Sequence, residues 1–429
     1  MSTEIQSVQA SGILDSRGNP TVQIKVKLKN GATGVSSVPS GKSTGKHEAV
    51  ELRDHDPKRY FGQGVEKVIH HINKILGPAL LGISPVDQQA EIDRLMIELD
   101  GTSNKAKLGA NAIVGISQAV ACAAASSCQL PLYAYLGGVK AVRLPMPMIN
   151  ILNGGKHADN NVELQEFMIV PIGAPTFSEA LRYSVETFNA LRAILQDQGH
   201  TANVGDEGGF TPQLRNNEEA FDLIIQAIEK AHYQAGDDIA IAIDPAANSF
   251  YKDNYYDLSL SEQGKKSSSD LITLYENWVI AYPIISIEDG LAESDWQGFE
   301  LLTHKMGHRI QIVGDDILVT NPQFIERAIA EQACNAALIK LNQIGTVTET
   351  IAAIKLCQKA GWNFVISHRS GETNDSFIAD FAVAMGGGQI KAGSVCRGER
   401  IAKYNRLLEI EAELGEKAIF ENPFTKKRF

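Results

Sequence analysis

The chain has 429 residues, 44% hydrophobic and 21% charged; this is ordinary globular composition and more length than one compact domain usually holds, so two domains are expected. Its net charge of -11 argues against a general nucleic-acid or anionic-membrane binder, since both need a basic face. The five cysteines are odd in number and form no C-x-x-C pair, which indicates neither a disulfide framework nor a zinc ribbon and suits a reducing, cytoplasmic setting.

The N-terminus, MSTEIQSVQA, shows no basic segment followed by an apolar one, so no secretory signal is expected. The first forty residues read as strands. IQSV and the period-two run TVQIKVKL are followed by Asn30-Gly31, a strong hairpin signal, and together they predict a three-stranded meander. From residue 64 the period turns helical, with VEKVIHHINKIL, then SPVDQQAEIDRLMIEL behind a Ser-Pro start, then an alanine-rich run over 109–127. That last run resembles a membrane span in length, but its small residues and Asn111, Ser117 and Gln118 mark a buried packing helix. Residues 1–136 are therefore expected to form an α+β capping domain. The Gly- and Pro-containing segment 136–150 reads as the linker.

Over 143–429 a pattern recurs: a short apolar run, a polar residue at its carboxyl end, a loop, then an amphipathic helix. The runs are EFMIVPIG, the segment around ANVGDEGG, IAIAIDPAA, IISIEDG, IQIVGDDIL, AALIKLNQ, FVISHRSG and QIKAGS. Eight such units fit a closed (β/α)8 barrel, whose functional residues lie at the carboxyl ends of its parallel strands.

Three successive runs end in acids, Asp244, Glu288 and Asp315. Each alone reads as a solvated turn carboxylate. Converging on one barrel mouth, they need a cation between them, and oxygen ligands without His or Cys favour Mg²⁺. The next three runs end in cations: Lys340, then His368 and Arg369 beside Ser370, then Lys391. An arginine beside a serine suits a phosphate or oxyanion. A lysine closing a buried strand either snorkels to the rim or has its pKa lowered and serves as a base. Acids, cations and a metal together describe a site that removes an α-proton from an anionic substrate. Departure of a hydroxide also needs an acid, for which Glu166 and Glu207 are the candidates. Glu166 reads equally as a salt-bridged strand residue and Glu207 as an acidic turn.

The motifs SGILDSRGNPTV, VPSG, STG, NGGKHADN, LQEFMIVP, GDEGGF, SIEDG, VGDD, LIKLNQIGT, SHRSGET and ERIAKYN resemble those of the enolase family, in family order and nearly end to end. The resemblance implies reversible, Mg²⁺-dependent dehydration of 2-phosphoglycerate to phosphoenolpyruvate. It implies that Lys340 is the base at C2 and that Glu207, supported by Glu166, is the acid at the C3 hydroxyl. By the same resemblance Asp244, Glu288 and Asp315 hold a first Mg²⁺, and Ser40 in a mobile loop helps to hold a second that arrives with substrate. Arg369 and Ser370 then bind the phosphate, while Gln165, His157, His368 and Lys391 complete the pocket. Neighbouring cations and a dry site are expected to lower the pKa of Lys340. A homodimer, in some cases built up to an octamer, is also implied, as are surface or secreted pools beside the cytoplasmic one. The sequence departs from the family at Lys42, where alanine is usual, at Asn248 and Ser249, where serine and glutamate are usual, and at Gly398, where serine is common. Lys42 adds a charge beside the loop, so loop closure or metal affinity is where a difference is expected. Gly41-Lys42-Ser43 mimics the end of a nucleotide-binding phosphate loop, but Ser36 stands where that pattern needs glycine.

Overall fold

The structure is a computed structural model and describes residues 2–42 and 45–424; Ser43 and Thr44 of the STG motif lie outside the described residues. Strands β1 (Ile5–Leu14), β2 (Pro20–Leu28) and β3 (Thr33–Ser37) form the expected antiparallel meander. Gly31, at φ 93°, sits in the tight β2–β3 turn, a conformation that glycine adopts without a Cβ penalty. The period of two is literal in β2: Val22, Ile24, Val26 and Leu28 are buried, while Lys25 and Lys27 face outward.

The alanine-rich run becomes the helix Ala110–Ser127, packed on this sheet and on the helix Pro85–Asp100. Its small residues permit close approach. A Cβ added at Gly34 would lie 2.1 Å from the Ala119 carbonyl, and one at Gly115 would lie 2.3 Å from Ile24. Among the described residues it is the one helix long and apolar enough to cross a membrane, and it is buried inside the protein.

The second sheet closes into a barrel of eight strands: β4 (Met146–Asn153), β5 (Glu166–Val170), β6 (Ala240–Asp244), β7 (Ile284–Glu288), β8 (Gln311–Gly314), β9 (Ala336–Ile339), β10 (Asn363–Ser367) and β11 (Gln389–Lys391). Two features differ from the sequence-based expectation. The ANVGDEGG segment is not a barrel strand and makes only isolated bridges to Phe210 through Val204 and, from β4, Leu152. The missing strand is β4, which begins inside the expected linker, where Pro145 and Pro147 disguise a run that is buried at every residue. The barrel is also not wholly parallel, because β5 runs antiparallel to both β4 and β6. Segment 154–165 between β4 and β5 holds only the short turn Gly155–His157, without the crossover helix that a parallel neighbour requires.

Alternation along the strands separates two cores. Outward residues such as Ile241, Ile243, Ile339 and Ile366 join the helix layer. Inward residues, including Met146, Met168, Ala242, Val313, Leu338 and Val365, fill the barrel. Two residues beyond an inward apolar residue lies the next inward position, and there the chain places Asp244, Asp315 and Lys340. On β5 the reversed direction brings its first residue, Glu166, to the same rim, opposite Asp244.

Candidate active site

The mouth of the barrel is a buried charge network. Lys391 Nζ donates to Asp244 Oδ2 and Glu288 Oε1, both at 2.9 Å, and lies 3.2 Å from Glu166 Oε1. Lys340 points inward, as its place on β9 requires, and donates to Asp315 Oδ2 at 2.5 Å. Burial opposes both ammonium charges, but Asp315 outweighs it at Lys340 and the surrounding carboxylates outweigh it at Lys391; both pKa values lie above the ordinary lysine value. This reverses the lowering expected from sequence. The nearest charge to Lys340 is an anion in direct contact, and the cations are farther away.

Burial raises Glu288 well above the carboxylate range, with Asp244 adding to the effect. Asp315 is lowered despite its burial, because Lys340 pairs with it. Asp244, Glu288 and Asp315 offer oxygen only, and Glu288 Oε2 is buried with no hydrogen-bond partner. That donor set fits a hard divalent cation. A neighbouring acidic group, Asp289, Asp315 and Asp316, has oxygens within 4.8 Å of one another. Asp289 there is occupied structurally, accepting the backbone N–H groups of Asp315 and Asp316 at 2.8 and 2.9 Å.

On the opposite side His157, Glu166 and Glu207 converge, with oxygens and ring nitrogens within 4.8 Å. His157 Nδ1 lies 3.8 Å from Glu166 and 3.5 Å from Glu207. Burial, reinforced by Glu207, pushes Glu166 well above its ordinary value. Burial would do the same to Glu207, but the facing His157, His368 and Arg400 pull it well below. The two facing carboxylates are thus driven apart, Glu166 toward the protonated form and Glu207 toward the ionised one. Asn150 Nδ2 also donates to Glu207 Oε2 at 3.1 Å. Burial depresses both histidines below their ordinary pKa, His368 strongly, and Glu207 opposes the shift at each ring. Arg400 NH1 donates to His368 Nδ1 at 2.5 Å, which leaves the proton on Nε2, 3.6 Å from Glu207.

The phosphate candidates stand on the third side. Arg369 is buried and forks onto Glu48, with NH1 to Oε2 at 2.9 Å and NH2 to Oε1 at 3.2 Å. Ser370 lines the same cavity, and its carbonyl accepts from Arg400 at 2.7 Å. Ser40 is not among the cavity-lining residues. It is buried at the rim and joined to Gly371 by two backbone hydrogen bonds of 2.7 and 2.9 Å. Its hydroxyl donates to Asp15 at 2.7 Å and accepts from Arg17 at 3.1 Å. The unusual Lys42 reaches Asp206, next to Glu207, at 3.1 Å.

One cavity is lined by His157, Gln165, Glu166, Glu207, Asp244 and Asp315 from the acidic side. Lys340, His368, Arg369, Ser370 and Lys391 close its other side. Glu288 joins them through Lys391. The cavity measures about 20 Å³, the room of a single water, so a larger ligand enters only as the lysine bridges yield. A base candidate, an acid pair, oxygen ligands and a guanidinium around one space are the parts of a site for proton abstraction from an anion.

Sequence reasoning passed over three residues here. Arg400 is fully buried and also donates to the carbonyls of Arg369 and Asp206 at 2.7 and 3.0 Å. Its only signal was the ERIAKYN motif. Asn150 was hidden in the segment taken as linker, and Glu48 carried no signal beyond an acid near the loop.

The chain is similar to known proteins over nearly its whole length. Residues 5–136 match the family described as "Enolase, N-terminal domain", and residues 141–428 match "Enolase, C-terminal TIM barrel domain". The chain is 64% identical over 420 residues to "Enolase 1" of Methylococcus capsulatus, covering 98% of this chain and 100% of that protein. It is 58% identical over 422 residues to "Enolase" of Desulfotalea psychrophila, with the same coverage.

Proposed function

The chain belongs to the enolase family and catalyses the dehydration of 2-phosphoglycerate to phosphoenolpyruvate, and from that premise we propose how its residues divide the work. Lys340 is the base that takes the C2 proton. Glu207 protonates the leaving C3 hydroxide, with Glu166 as the store of the proton. The observation that supports this division is the one cavity lined by Lys340, Glu207 and two of the three candidate metal ligands, Asp244 and Asp315.

The family is Mg²⁺-dependent. Asp244, Glu288 and Asp315 would hold one ion, which would supply positive charge where negative charge builds on the substrate carboxylate; a Lys or His base with one or two Mg²⁺ is the superfamily pattern the same physics describes. Ser40, with the substrate phosphate, is assigned to a second ion. Its hydroxyl donates to Asp15 and accepts from Arg17, which leaves one oxygen lone pair for an ion. Lys340 acts as a base only when neutral, so its ion pair with Asp315 must loosen before C2 is deprotonated. Lys391, already bridging the carboxylates, lies where negative charge builds. Arg369 and Ser370 hold the phosphate, and His157, His368 and Gln165 orient the rest of the substrate.

All five cysteines are free, which supports a reducing, cytoplasmic setting, and family membership supports a homodimer. The residue assignments are tested by following phosphoenolpyruvate absorbance with and without Mg²⁺. Lys340→Ala should lower kcat by about 10⁴-fold at unchanged folding. Equal rates in the two proteins would remove Lys340 from the role of base.

A further inference from the structure

Glu48 belongs to the capping domain, yet its carboxylate lies inside the charge network of the barrel, with side-chain exposures of 8% for Glu48 and 3% for Arg369. The two-point fork onto Arg369 sets the plane of the guanidinium as well as its position. Glu48 Oε1 accepts two further hydrogen bonds, from the Gly45 backbone N–H at 3.0 Å and from Gln343 Nε2 at 3.3 Å. Gln343 in turn donates to Asp315 Oδ1 at 2.8 Å and accepts from Thr320 at 2.7 Å. Arg369 NH1 also donates to Asn342 Oδ1 at 2.9 Å, and Asn342 donates to the carbonyl of Pro39, next to Ser40, at 3.3 Å. Glu48 therefore bonds the phosphate candidate directly, reaches a metal-ligand candidate through Gln343, and reaches the segment beside Ser40 through Arg369 and Asn342.

Building on the assignment of Arg369 to the substrate phosphate, we infer that Glu48 is a positioning residue that aims the Arg369 guanidinium and couples it to the Ser40 segment of the capping domain. It touches no reacting atom and acts through Arg369. Only a carboxylate of this length satisfies both guanidinium nitrogens and the two added donors. An amide offers one acceptor in place of two, and aspartate falls one methylene short.

The test compares Glu48→Gln and Glu48→Asp with Arg369→Lys in the full-length protein. The readouts are KM and kcat for 2-phosphoglycerate and the inhibition constant of inorganic phosphate, a probe of the clamp that undergoes no chemistry. Loss of one charge-assisted fork should raise KM and the phosphate inhibition constant together by about tenfold, with kcat changed by less than about threefold. Added to Arg369→Lys, the Glu48 changes should have little further effect, because they act through the same group. Unchanged KM and phosphate inhibition in a folded Glu48 variant overturns the inference, as does a fall in kcat alone. The aspartate variant keeps the buried charge, so it carries the test where the glutamine variant does not fold. If Arg369→Lys itself leaves phosphate inhibition untouched, the assignment of the phosphate to Arg369 has failed, and the inference with it. If Arg369→Lys weakens inhibition and the Glu48 variants do not, the inference alone has failed.

Discussion

The two ends of the barrel interior are made by the same strands and the same alternation, but their polar groups are treated in opposite ways. At the amino-terminal end Gln311 and Gln389 exchange hydrogen bonds of 2.9 and 2.8 Å, and Ser286 and Asn363 join them. These groups are neutral, and none of them leaves a buried polar atom without a partner among the described residues. At the carboxyl-terminal mouth, both ring nitrogens of His157, Gln165 Oε1, Glu166 Oε2 and Glu288 Oε2 are buried without a hydrogen-bond partner. Unsatisfied buried atoms are unfavourable in a purely structural role. Their concentration at one end marks where the fold keeps bonding capacity for something other than itself.

That contrast predicts different penalties at the two ends. At the mouth, Glu207→Gln keeps the shape and the Asn150 contact but removes the proposed proton donor; kcat should fall by about 10²- to 10⁴-fold, with the melting temperature close to wild type. A loss of folding without a loss of kcat would show the mouth to be structural after all. At the other end, Met146→Ala, beside Gln389, opens a cavity among the inward apolar residues and should lower stability by about 2–5 kcal/mol, measured by denaturant unfolding, while kcat stays within about twofold. The smallest effect is expected at the rim. Lys42 and Asp206 are each more than a third exposed, and such a pair contributes at most about 1 kcal/mol. Lys42→Ala should shift KM by less than about threefold, and the shift should vanish at high salt as screening removes the pair from wild type too. A large, salt-independent change would place Lys42 inside the site.

Much of the architecture was legible because periodicity is a local property. The β2 run alternates in sequence and alternates in burial, and the inward positions of β6, β8 and β9 lead directly to Asp244, Asp315 and Lys340. Strand β4 was not legible, since Pro147 within it and Pro145 just before it carry a loop signal, and only closure of the barrel gives the run strand neighbours. Nor was the direction of β5, which depends on a connection too short in helix to cross over. That direction is what brings Glu166 to the rim by the first residue of a strand.

The amino-acid order by itself determined which chemical groups the chain possesses and on which face of each element they stand, because a period of two or 3.6 is set by backbone geometry within a few residues. It also placed the chain in its family through motifs that run from the capping domain to ERIAKYN. Charge state and partnership were decided only by the tertiary structure. Lys340 meets Asp315 from another strand, Glu207 is drawn down by His368 and Arg400 from distant segments, and Arg369 is forked by Glu48 from the other domain. Coulomb interactions depend on distance through space and on the loss of water between the partners, and neither quantity exists along the sequence.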